Sequence, residues 1–131
     1  MLIDTSVWIL LFRGVNSEFL LAFEKLIAGQ NYYLSRLTQT ELLQGAKDER
    51  EWLELNDYLM NQDYIELKSS TFISAARIYY NLRRQGITVR NTIDCLIAAS
   101  AINNDLLLVH CDRDFEAIAT RTNLKQVRLE T

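Results

Sequence analysis

Short apolar runs alternate with longer stretches in which apolar residues recur every three or four positions. Met1–Ile3 opens the chain as a strand, and Ser6–Phe12 follows as a short helix ending near Gly14. Ser17–Ala28 carries Phe19, Leu20, Phe23, Leu26 and Ile27 at helical spacing, with Gly29 as its stop. Tyr32–Ser35 reads as a second strand, and a helix starts near Thr38 and runs towards Gly45. Asp48–Asn61 is an amphipathic helix with Trp52, Leu55 and Leu59 on one face. Tyr64–Leu67 is a third strand. Ser70–Gln85 then places Phe72, Ala75, Ala76, Tyr79 and Leu82 on one stripe and ends at Gly86. Asn91–Asn103 is a helix rich in small residues, Leu106–His110 a buried strand, Asp112–Thr120 a helix and Gln126–Leu129 a fifth strand. Strands alternating with helices predict an α/β fold, a parallel sheet covered by helices on both faces.

Composition narrows the class. The 131 residues, with no proline and no linker-like tract, predict one domain over residues 1–131. No apolar run approaches the roughly 18 residues of a membrane span. The start lacks the basic and apolar segments of a signal peptide, so a cytoplasmic protein is expected. Two cysteines, Cys95 and Cys111, without a C-x-x-C pattern, read as free thiols, and the single histidine, His110, leaves too few soft ligands for a structural zinc site. A net charge of −3 argues against a generally basic nucleic-acid binder, so only local clusters such as Arg83, Arg84 and Arg90, with Arg77 and Arg113, offer contacts to phosphate. Arg83 and Arg84 either track a nucleic-acid backbone or favourably end a helix through its dipole.

Four acids stand where strands hand over to helices: Asp4, Glu41, Asp94 and Asp112. In a parallel sheet these points gather along one edge. Each has a capping explanation. Asp4 and Asp112 fit N-caps, and Thr38–Glu41 fits a capping box, with Asn91–Asp94 a shorter version of it. Taken together they suggest more. Asp94 shares a helix face with Ile97, Ala98 and Ala101, where a carboxylate is costly unless it is paired or metal-bound. Close carboxylate pairs repel by about 4 kcal/mol at intermediate dielectric, so the cluster calls for a cation. All-oxygen ligation selects Mg2+, with Mn2+ as a substitute, and suits hydrolysis of phosphodiesters.

The segments carrying these acids resemble the PIN-domain family, and specifically the VapC toxins of bacterial toxin–antitoxin pairs. The matching stretches are Met1–Trp8, Leu37–Leu42, Asn91–Ala99 and Leu108–Phe115, in the family's order and over essentially the whole length. The resemblance implies a three-layer fold with a five-stranded parallel sheet and a metal-dependent endoribonuclease. It also implies a VapB-type antitoxin partner and a homodimer. Carried over by position, Asp4, Glu41, Asp94 and Asp112 form the catalytic site. Asp4 and Asp94 are then the most direct metal ligands, and Glu41 and Asp112 hold waters or a second ion. Ser6 supports the site, and Asp114 competes with Asp112 as the fourth acid, Asp112 being preferred because it comes first after the strand. Arg90 and Arg113 are candidate RNA contacts or solvated arginines. Trp8, Phe12 and Phe19 line an apolar groove for an antitoxin or pack in the core, and His110 reads as structural rather than as a proton carrier. Rival readings are a PIN nuclease of housekeeping RNA processing and a non-catalytic RNA- or protein-binding module whose acids are only caps. A phosphatase with Asp4 as nucleophile is a third, weakened by Ser6 standing where a second aspartate is usual.

Overall fold

The computed structural model describes residues 1–14 and 16–130, so Val15 and Thr131 of the expected 1–131 domain lie outside the described residues. Its strands are β1 (Leu2–Ile3), β2 (Leu34–Ser35), β3 (Tyr64–Ile65), β4 (Leu108–His110) and β5 (Gln126–Arg128). Its helices are α1 (Thr5–Phe12), α2 (Ser17–Ile27), α3 (Arg36–Gln44), α4 (Glu49–Met60), α5 (Ser69–Arg84), α6 (Thr92–Asn103) and α7 (Arg113–Ala119). Short polar side chains start most of the helices by accepting from backbone N–H groups that lack partners in the first turn. Asn16 takes Phe19 N at 2.8 Å, Asp48 takes Glu51 N at 2.8 Å and Asn91 takes Ile93 N at 2.9 Å. After α5, Gly86 adopts φ +77°, which lets Ile87 N bond back to Leu82 O at 2.9 Å.

Every strand pairing is parallel. One sheet runs β1-β4-β5 and a second pairs β2 with β3, joined by a bridge between Leu2 and Tyr33. The spatial order is therefore β3-β2-β1-β4-β5. The chain steps outward from β1 to β3, then returns to fill the other side, so the order reverses between β1 and β4. In open parallel sheets, ligands bind at the carboxyl ends of the strands flanking such a reversal. The strands are shorter than their apolar runs, because only part of each run pairs with a neighbour.

Alternation along the strands separates two cores. Leu2 and Leu108 point into one, with Ala75 and Leu82 of α5, the apolar residues of α6, and Phe115 and Ile118 of α7. Ile3 and Val109 point into the other, with Val7 and Trp8 of α1, Phe19 and Phe23 of α2, Leu42 of α3 and Leu59 of α4. The three-layer arrangement expected from the sequence is present. Helix α6 is buried on nearly every side from Asp94 to Ala101, so a carboxylate at its start is buried with it. Trp8 and Phe19 are core residues, whereas Phe12 is 47% exposed. Among the described residues, no helix is long and apolar enough to cross a membrane.

Candidate active site

The end of β1 turns directly into α1, and Asp4 occupies the turn. Its backbone N–H bonds Val109 O at 2.9 Å, which ties it to β4. Its Oδ2 accepts from Ser6 N at 2.9 Å and from the Ser6 hydroxyl at 2.5 Å. The same hydroxyl accepts from Cys111 N at 2.9 Å, so Ser6 links the ends of the two central strands. Asp4 is thus both a helix cap and a member of a site at the strand-order reversal.

Glu41 arrives from α3. The N-cap of this helix is Ser35, not Thr38, because the helix begins two residues earlier than its periodicity suggests. The capping-box reading of Thr38 and Glu41 is therefore replaced by another arrangement. Thr5 donates its hydroxyl to Glu41 Oε1 at 2.8 Å, and its oxygen lies 2.9 Å from that of Thr38. Thr5 has one proton and gives it to the carboxylate, so Thr38 is the donor in the second bond. This buried hydroxyl pair aims Glu41 at Asp4. The sequence offered one signal for it, a threonine on the inward face of each helix, but the spacing of Thr38 and Glu41 pointed to a cap instead.

Asp94, Asp112 and Asp114 converge from α6 and from the turn into α7. Their carboxylate oxygens lie within 4.8 Å of one another. Asp112 caps α7, with Oδ1 accepting from Asp114 N at 2.9 Å. Both candidates for the fourth acid are therefore present at the site. Arg90 spans them, donating from Nε to Asp114 Oδ2 at 3.0 Å and from Nη2 to Asp112 Oδ1 at 3.2 Å, while its side chain stays 62% exposed. It is neither a free loop arginine nor directed wholly outward. Arg113 is exposed and does not line the recess. An open recess of about 390 Å³ is walled by Asp4, Glu41, Asp94, Asp112 and Asp114, with Ser6 and Arg90 at its sides.

The electrostatics match such a cluster. Burial raises Asp94 to about 7, and the charges of Asp4, Asp112, Asp114 and Glu41 add to the rise. Burial also raises Asp4 against the opposing pull of its bonds to Ser6, and raises Glu41, with the Asp4 charge adding to the effect. One arginine does not neutralise five carboxylates. The donors are all oxygens, at least three reach a common point, and their charge is uncompensated. The set fits a hard divalent cation.

His110 is wholly buried. Its Nδ1 accepts from Asp112 N at 3.1 Å and its Nε2 faces Gln126 Oε1 at 2.7 Å, which assigns the proton to Nε2 and leaves no nitrogen free for the recess. Burial raises the thiols of Cys95 and Cys111 to about 11, which favours the protonated form of each.

The PIN domain family model matches residues 1–121. The chain belongs to the PIN-domain family. Within it the chain falls among the VapC ribonucleases, being 35% identical over 127 residues to Ribonuclease VapC11 of Mycobacterium tuberculosis, with 95% of each chain covered. The PIN fold is shared with the VapBC2 structure from Rickettsia felis, solved bound to a promoter DNA fragment, at TM-score 0.80 and 20% identity over 98% of each chain. It is shared too with FitAcB from Neisseria gonorrhoeae, at TM-score 0.76 and 20% identity over 95% of this chain and 94% of that one.

Proposed function

We propose that this PIN domain, spanning the whole chain, is a cytoplasmic metal-dependent endoribonuclease, the toxin of a toxin–antitoxin pair. The observation that carries the reading is the convergence of Asp94, Asp112 and Asp114 oxygens within 4.8 Å at the strand-order reversal, in a chain of VapC type. Asp94, Asp112 and Asp114 would hold the ion, Mg2+ or in its place Mn2+, with Asp4 and Glu41 lining the same recess. When bound, such an ion supplies an acidified water and neutralises charge on the phosphate. Ser6 orients Asp4, and Thr5 orients Glu41. Arg90, which bridges Asp112 and Asp114 and stays 62% exposed, would be the residue placed to bind a phosphate oxygen.

A groove of about 560 Å³ adjoins the recess through Ile9 and Glu41 and is lined by Phe12, Leu42, Leu55 and Tyr58. Its apolar wall and its position suit the C-terminal segment of a VapB-type antitoxin lying across the site. A toxin homodimer belongs to the same reading.

Incubating the protein with labelled RNA in Mn2+, in Mg2+ and in chelator tests the enzyme assignment. Cleavage that needs the ion and disappears in Asp94→Asn supports it. Equal behaviour of wild type and Asp94→Asn rejects it.

A further inference from the structure

Charge is distributed unevenly along this acidic chain. All 17 carboxylate residues lie outside Leu67–Ile93, a stretch that carries Lys68, Arg77, Arg83, Arg84 and Arg90. Three of these cations stand on the C-terminal half of α5, and they are held on aromatic rings. The guanidinium carbons of Arg77 and Arg84 lie 5.1 and 5.6 Å from the Tyr80 ring centroid, and that of Arg83 lies 5.9 Å from the Tyr79 ring. Among the described residues, none of the three forms an ion pair. The region of α4 shows what an ordinary solvated helix does in this same protein: Arg50 pairs with Glu54, and Lys47, just before the helix, pairs with Glu51, each four residues on. Helix α5 has no acid with which to do this. Its guanidiniums stay uncompensated and pre-ordered, the condition in which arginine binds phosphate well.

The row also points at the site. Helix α6 begins at the recess with Asp94, and its far end is tied to the start of α5 by Asn103 Nδ2 donating to Thr71 Oγ1 at 3.4 Å. The two helices pack against each other and are joined by a short turn, so Arg83 and Arg84 lie at the end of α5 nearer the recess. Seven residues separate Arg84 from Arg77, about 10 Å along the axis. Beside the row, Arg77 borders a cleft of about 460 Å³ whose walls include Ile73, Asn81, Asn103, Arg121 and Asn123. Two cations, Arg77 and Arg121, and three amide side chains thus stand around one cleft next to the row.

We propose that this arginine–tyrosine face of α5, with the cleft beside it, binds the phosphate backbone of single-stranded RNA outside the bond that enters the acidic recess. The proposal rests on the ribonuclease reading and adds where the substrate is held. A polyanion is the occupant that charge favours. A second copy with its two-fold axis on this stretch would bring like charges together, since Leu67–Ile93 holds no acid to pair with them.

The test measures binding apart from cleavage. Anisotropy of a labelled single-stranded oligoribonucleotide is followed in chelator, with Asp94→Asn as the parent protein so that the RNA stays intact. Adding Arg77→Glu and Arg84→Glu is expected to weaken binding at least tenfold and to flatten the salt dependence by roughly 1.4 in slope, about 0.7 for each lost phosphate contact. Arg77→Gln with Arg84→Gln gives a smaller loss of the same kind and guards against a fault of folding. Lys25→Glu with Arg50→Glu makes the same change of net charge on helices packed against the opposite sheet face, and leaves binding unaltered. A parent that fails to bind RNA, or α5 variants that bind as tightly as the parent, overturn the proposal. So does a dimeric parent made monomeric by the α5 changes, which would mark the face as a contact between copies. A parent that binds through these arginines, while the wild type leaves all RNA intact in Mn2+, keeps the surface and rejects the ribonuclease reading.

Discussion

In the proposed site, Asp94 would serve ion binding at the expense of the fold. Its carboxyl is buried at the start of a buried helix, among four other acids, and titrates near 7. The folded protein therefore holds a proton there that the unfolded chain, at an ordinary carboxylate value, has already released. Stability is fully present below the unfolded value near 3.8 and is lost as pH rises towards about 7. At about 1.4 kcal/mol per pKa unit, Asp94 contributes at most roughly 2.5 kcal/mol of loss between pH 5 and 8. Urea unfolding in chelator at those two pH values measures it. Asp94→Asn keeps the shape without the charge, so it should remove most of this pH dependence and leave the metal-free protein more stable at pH 8, while cutting cleavage by about a hundredfold or more. A variant less stable than wild type at pH 8 would mean the carboxylate is satisfied in the fold and not waiting for an ion. Ser6→Ala acts in the other sense. It strips Asp4 of a donor and leaves Cys111 N–H without its acceptor, a destabilisation of about 1–3 kcal/mol in a thermal melt.

Helix α6 is the element on which the recess depends, since it carries Asp94 and is packed between α5 and the sheet. Ala98 is fully buried there. Ala98→Leu should overpack it, costing about 1–3 kcal/mol in denaturant unfolding, and should lower cleavage as well by shifting the helix start. Elements of this sort were legible in the sequence. Their apolar spacing marked the helices, the run Leu106–His110 marked a buried strand, and Asp94 on an apolar face stood out as an unusual acid. Strand order was not legible. Parallel strands buried on both faces read as uniform apolar runs, which carry no register. Nor could the sequence choose between Asp112 and Asp114. One turn presents both, the first as cap and the second on the N–H that the cap accepts, and only Arg90 and Asp94 arriving from another element show that both face the recess. The anchoring of Glu41 by Thr5 was hidden for the same reason, because it depends on α1 lying beside α3.

At the scale of the whole molecule, two cores on opposite sheet faces hold four separate segments so that their acids meet at the reversal of strand order. The fold supplies the energy that keeps mutually repelling carboxylates together, so binding an ion should return some of it. An ion that binds only the folded state stabilises by about 2.7 kcal/mol at a hundredfold excess over its dissociation constant. Titrating Mn2+ or Mg2+ into chelator-treated protein at pH 8 should therefore raise the melting temperature by several degrees. The gain should shrink at pH 5, where Asp94 carries a proton that the ion must displace. It should also fall away in Asp94→Asn, even though that variant starts from the higher melting temperature. The three results belong together: relief of repulsion by proton, by amide and by ion are alternatives at one place, and none should add fully to another. If Mn2+ stabilises the wild type and Asp94→Asn equally, the ion is held elsewhere, and the recess at the strand-order reversal is not the metal centre.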